Sequence, residues 1–217
     1  MVELRTRLLS AVVLGLALSL SVSSASAGLI TLAQSSIDLL GPDPEPIGTL
    51  QTTITNGGNL YCNVLSQAFT DGAGGYIYLY QVLNTGTSAN SPVELFTLWP
   101  FTGANDQSGM GWLTGALPAG FQDTPSQEPK ARAYFLPPPR GPQISFYYSL
   151  DDGKNIDPGD HSVVMYVKSQ LGPTQISGNV IDGYVATGNV IGPVPEPATL
   201  AFLVLGGVGL LLRRGRK

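Results

Sequence analysis

The 217-residue chain carries 11 Lys and Arg against 15 Asp and Glu, a formal net charge of −4, and a single cysteine. One cysteine cannot form an intramolecular disulfide, so any exported domain in this chain must be held by its core. Between Gly28 and Gly192 five basic residues stand against thirteen acidic ones, a formal charge of −8, and a surface of that sign argues against a nucleic-acid partner.

The N-terminus reads as an address. Arg5 and Arg7 form a positive region, Leu8 to Leu20 is an apolar run, and SVSSASA follows. Ala25 and Ala27 occupy the small-residue positions that signal peptidase recognises, so cleavage after Ala27 is predicted, with export through the general secretion machinery. The apolar run has thirteen residues, short for a membrane span. Residues 1–27 are therefore set aside as a signal peptide.

Residues 28–192 are long enough for one domain with its own core. They show no long helical periodicity. Short alternations bounded by Gly, Pro, Asn and Asp recur instead. Tyr76 to Leu83 is apolar or amphipathic on both faces, which predicts a central strand. Val93 to Trp99, Ile144 to Leu150 and Ser162 to Lys168 are further strands, and Thr49 to Thr55, Leu60 to Phe69, Ala131 to Phe135 and Gly183 to Thr187 are weaker candidates. Turn chemistry separates them at Asn56 to Gly58, Asp71 to Gly75, Asn84 to Gly86, Asp152–Gly153 and Pro158–Gly159. Pro42 to Pro46 and Pro137 to Pro139 are extended connectors, and Thr102 to Gly120 is expected to be a long loop carrying Trp112. Seven or eight short strands predict an all-β fold, a β-sandwich.

The middle offers little reactive chemistry. Cys62, between Tyr61 and Val64, reads as a small buried apolar residue. His161 is the only histidine; adjacent residues on a strand point to opposite faces, so it turns away from Asp160 and Ser162 rather than converging with them as a triad, and it reads as a strand-edge residue. One histidine and one cysteine do not make a zinc site. The acids from Asp151 to Asp160 lack the spacing of a calcium loop and include Lys154. Glu94 and Glu128 are candidate acids with nothing to distinguish them as a glycosidase pair. No phosphate-binding loop is present. The expectation is a non-enzyme with no catalytic residues, no metal and no cofactor.

The C-terminus reads VPEPATLAFLVLGGVGLLLRRGRK. Ala198 to Leu212 is almost wholly apolar, and as a helix it rises about 22 Å against a hydrocarbon core of about 30 Å. This predicts a short transmembrane helix at about 198–212, oriented by the basic tail Arg213, Arg214, Arg216 and Lys217 with that tail in the cytoplasm. The flanking RRGRK cannot be buried, so a core helix does not fit. Pro195 and Pro197 hold the preceding backbone extended, and Glu196 is the only charge between Asp182 and Arg213.

Pro195-Glu196-Pro197, the short span and the arginine-rich end, over residues 193–217, resemble the PEP-CTERM sorting signal. The resemblance implies that Pro195, Glu196 and Pro197 are recognised by exosortase, a membrane-embedded, transpeptidase-like cysteine enzyme. It further implies cutting near the motif in cells that often make exopolysaccharide. Tyr76 to Pro100 and Ile156 to Gly159 are similar to ectodomains common among such proteins, which implies an immunoglobulin-like β-sandwich at residues 28–192. The resulting expectation is an exported protein, single-pass in the inner membrane before processing and at the cell surface or outside the cell afterwards. Its domain would be a structural or adhesive module, with extracellular polysaccharide as a further partner. The alternative is a secreted carbohydrate-binding module or glycoside hydrolase on a β-sandwich scaffold. Tyr76, Tyr78, Trp99, Trp112 and Tyr147 discriminate the two: an exposed strip favours sugar binding, and burial makes them core.

Overall fold

The computed structural model describes residues 28–29, 33–104, 109–123, 126–129, 131–135, 142–148 and 155–193. The predicted signal peptide, residues 151–154 of the Asp151 to Asp160 cluster, and the PEP motif with its apolar run and basic tail lie outside the described residues. In chain order the elements are β1 (Gly28–Leu29), β2 (Ala33–Ser35), α1 (Ser36–Leu40), β3 (Gly48–Thr55), β4 (Tyr61–Thr70), β5 (Tyr76–Asn84), β6 (Leu95–Trp99), β7 (Met110–Thr114), β8 (Ser126–Gln127), β9 (Ala131–Phe135), β10 (Gln143–Tyr147), β11 (His161–Ser162), β12 (Met165–Ser169), β13 (Pro173–Asp182) and β14 (Tyr184–Pro193). The fold is all-β, in two sheets with almost no helix.

The first sheet runs β1-β9-β10-β6-β13-β14, antiparallel throughout. The second is organised on β5. Its whole length pairs with β4, which pairs outward with β3; its other edge pairs with β12 and then β11. Beyond these lie β7 and β8, and β2 closes the far side. The inner faces of both sheets share one core. Phe96, Leu98, Ile144, Phe146, Ile176, Val180 and Val190 come from the first sheet, and Ile54, Cys62, Val64, Tyr78, Tyr80, Val82, Met165 and Val167 from the second.

Strand β5 is central, and its sequence explains why. Tyr78, Tyr80 and Val82 enter the main core, while Ile77 and Leu79 enter a smaller cluster on the opposite face with Phe69, Leu113, Val164 and Tyr166. Leu39 and Leu40 of α1, with Leu117 and Phe121, cover that second cluster. Side-chain amides stitch the cover down. Gln67 Nε2 donates to Ala119 O at 2.9 Å, and Gln81 Nε2 donates to Gln122 O at 2.7 Å while Gln81 Oε1 accepts from Gln122 N at 2.8 Å.

The long loop expected over Thr102 to Gly120 is corrected by β7, which turns Met110 and Trp112 to one face and Leu113 to the other. The glycines at 109, 111 and 115 hide this short strand in the sequence. Strand β13 was not anticipated, and β14 is twice the length read from Gly183 to Thr187. Both have small polar residues between their inward apolar ones, which lowers the apolar signal without breaking the alternation.

Two constraints join the sheets at β14, the last strand of the first sheet. Gly178 and Gly188 face one another across β13 and β14. A Cβ at position 188 would stand 2.6 Å from Ile54 Cγ1 and 3.0 Å from Thr52 Cγ2, so the glycine lets β3 lie against β14. The edge of β14 that faces away from β13 is then capped by hydroxyls of the second sheet. Thr52 Oγ1 donates to Asn189 O at 2.6 Å, Tyr80 OH donates to Ile191 O at 2.6 Å, and Ser66 Oγ accepts from Ile191 N at 3.0 Å.

Gly188→Val should therefore cost about 1–3 kcal/mol through overpacking, read as a drop of several degrees in Tm. Thr49→Val, on an exposed β3 position, should stay within about 0.5 kcal/mol. Equal Tm values for the two variants would refute the close-packing role.

The core also sets an alkaline limit. Burial pushes the Cys62 thiol from its ordinary 9.0 up to about 12. It also raises the Tyr78, Tyr80 and Tyr148 phenols well above their ordinary range. A folded-state pKa above the unfolded one means the folded chain holds the proton more tightly. The stability from these groups is complete below about pH 9 and is lost as pH rises through the window above it. Near-ultraviolet circular dichroism and tyrosinate absorbance should change together in one cooperative alkaline transition. Tyrosinate signal from all the tyrosines with the dichroism intact would contradict this.

Candidate functional site

The five discriminating aromatics divide. Tyr78 and Trp112 are buried and Tyr76 packs against the main core, while Tyr147 is half-buried and Trp99 is 49% exposed. The last two share the outer face of the first sheet, as strand alternation requires once Phe96, Leu98, Ile144 and Phe146 point inward.

Pairing register builds that face in rows. Ala133, Ser145, Thr97, Asn179 and Thr187 stand opposite one another across β9, β10, β6, β13 and β14. Thr187 Oγ1 donates to Asn179 Oδ1 at 2.8 Å, and Asn179 Nδ2 donates to Thr97 Oγ1 at 3.1 Å. The row beside it contains Phe135, Gln143, Trp99, Ser177 and Asn189. Gln143 Nε2 donates to Ser145 Oγ at 3.0 Å and Asn189 Nδ2 to Gln175 Oε1 at 3.3 Å. Ala133, Ser145 and Thr97 are buried, whereas Trp99, Thr187 and Asn189 are exposed. Phe135 and Trp99 flank Gln143, two strand spacings or about 10 Å apart. On the side of Tyr147 the face ends in Ala131, Leu95, Ile181 and Val185. None of these residues is charged, in a domain whose formal charge is −8.

The other sequence candidates are not drawn together. Glu128 and Asp123 line a cleft of about 210 Å³ with Trp112, Leu117 and Val163. Glu94 is not among the residues lining it; its backbone N–H donates to Ile181 O and its carbonyl accepts from Tyr148 N. Cys62 is 0% exposed and its thiol stays protonated. His161 is not at a strand edge. It lies on β11 between β5 and the short parallel β8, 5% exposed, with Nδ1 3.2 Å from Gln81 Nε2 and 3.0 Å from Ser162 O. A two-residue parallel strand leaves no sequence signal, which is why the edge reading fails. Among the described residues no group of three or more His, Cys, Asp or Glu could hold a metal ion, and no helix is long and apolar enough to cross a membrane.

Sequence reasoning missed Thr97, Asn179, Thr187 and Gln143. The alternation of Gln175, Ser177 and Asn179 with Ile176 and Val180 was a usable signal for an outer polar face, but only register shows which strands it adjoins.

No curated protein and no solved structure matches the chain. Residues 193–217 match the PEP-CTERM protein-sorting motif. The match begins at Pro193, the last residue of β14. The chain thus carries a PEP-CTERM protein-sorting motif, which marks it as an exported, membrane-processed protein with exosortase as its processing partner.

Proposed function

We propose that the chain is a surface or extracellular-matrix protein whose sandwich is a non-catalytic adhesive module for neutral polysaccharide, delivered by exosortase through Pro195, Glu196 and Pro197. Residues 1–27 direct its export and are removed after Ala27, and the helix over 198–212, held by Arg213, Arg214, Arg216 and Lys217, anchors it until processing. The immunoglobulin-like description applies to the layered plan alone. It is supported by the antiparallel first sheet and the core shared between two inner faces.

The observation that carries the adhesive role is the uncharged outer face of the first sheet. Sugar rings have an apolar C–H face that stacks on aromatic planes and a rim of hydroxyls that both donate and accept. Trp99 and Tyr147 offer planes, and Gln143, Asn179, Asn189 and Thr187 offer matching donors and acceptors. The absence of charge on this face suits a neutral chain. This reading adopts the carbohydrate-binding half of the alternative expectation. It leaves the hydrolase half aside, because Glu94 stands apart from the cleft of Asp123 and Glu128.

Native gels containing soluble β-glucan should retard the detergent-solubilised chain, and gels containing alginate should not. Trp99→Ala should weaken retardation about tenfold, the ~1.4 kcal/mol expected of one stacked aromatic plane. Tyr184→Ala, at a more exposed aromatic on the hairpin tip, should bind as wild type. Undiminished binding by the Trp99 variant would remove the assignment.

The sorting role has its own test. In a host with exosortase, the C-terminal peptide of the mature protein should lack Arg213 to Lys217 by mass spectrometry. Simultaneous replacement of Pro195, Glu196 and Pro197 by Ala should leave a full-length membrane species. Wild type that keeps Arg213 to Lys217 would turn the tail into a plain anchor.

A further inference from the structure

We propose that the domain stands upright on the membrane before processing, with the end where β14 terminates facing the lipid headgroups and the β13–β14 hairpin tip pointing away. This rests on the reading of residues 198–212 as the membrane anchor.

The argument begins with how firmly the chain is held where it leaves the sandwich. Residues 190–193 of β14 are all buried. Pro193 is still in register with Pro173, and Ile191 is fixed on both backbone atoms by Ser66 and Tyr80. The strand cannot fray without uncovering these groups, so the exit point belongs to the rigid body. From Pro193 to the first residue of the apolar run, Ala198, only Val194, Pro195, Glu196 and Pro197 intervene. Five residue steps span at most about 18 Å fully extended. The end of β14 is therefore held within a short distance of the bilayer.

Register shows which other residues share that end. Gly48 pairs with Ala68, and a Cβ on it would lie 3.3 Å from Ile191 Cδ1; Ile47 beside it is 49% exposed. The Asp71 to Gly75 turn between β4 and β5 lies at the same end. At the opposite end of β14, Tyr184 and Val185 are 60% and 59% exposed. The seven residue steps from Tyr184 to Ile191 separate the two ends by about 23 Å. Asp71 gives the membrane-facing end an acidic residue. Nearness there is imposed by spacer length and not by attraction to lipid.

The test uses Cys62 as a silent background, because it is 0% exposed with its thiol held protonated. Ile47→Cys and Tyr184→Cys would each be labelled with a short-range energy-transfer donor in the full chain. The chains would be reconstituted into phosphatidylcholine vesicles carrying the acceptor on lipid headgroups. Transfer from position 47 should exceed that from position 184 at least threefold. A twenty-residue Gly-Ser insertion after Val194 should abolish the difference. If the chain floats with the vesicles and the two positions transfer equally, the upright pose is wrong while the anchor reading survives. If the chain does not float with the vesicles, the anchor reading fails and takes the pose with it.

Discussion

The hydroxyls of Thr52, Ser66 and Tyr80 on the free edge of β14 are the contacts on which the domain most depends. An unpaired edge strand of ten residues would expose a row of backbone donors and acceptors to any passing chain. A sandwich with no disulfide must also hold its two layers together by side chains alone. Three hydroxyls meet both needs. Each satisfies a backbone group of one sheet from a residue of the other, so the layers are joined by directed bonds as well as by apolar contact. The glycine at 188 is the steric condition for the β3 contact, since a side chain there would meet Ile54 and Thr52 and push away the strand that supplies the Thr52 hydroxyl.

The two sheets use their outer faces differently. The second sheet covers its outer face with α1 and the 115–121 segment, because β5 is apolar on both sides and half of it would otherwise meet water. Its buried glutamines, Gln67 and Gln81, bind that cover through backbone groups, so polar side chains there serve structure. The first sheet has small and amide side chains on its outer face, and its polar groups bond to one another across the strands.

This contrast explains what could be read in advance. Strand β5 was legible because two apolar faces in one short segment have few alternatives, and β3, β4, β6, β9, β10 and β12 followed from alternation and turn residues. The tail was legible because its three parts are contiguous. The outer face was not, since Thr97, Gln143, Asn179 and Thr187 come from four separate segments and meet only through register. His161 shows the same limit: its identity as an isolated histidine was clear, but the two residues of β8 that move it from edge to interior have no pattern of their own.

In the proposed upright pose, rows that cross the strands of the first sheet lie parallel to the bilayer. Phe135, Gln143, Trp99, Ser177 and Asn189 form one such row, spaced at the distance between adjacent strands, about 4.8 Å. A polysaccharide laid along that row would run level with the cell surface and meet a new strand with roughly every sugar ring. A chain running along the strands would instead meet Trp99, then Thr97, then Leu95, and lose polar partners toward Ile181 and Val185. The polar groups are distributed across strands rather than along them, so in that pose the face would favour a polysaccharide running level with the membrane.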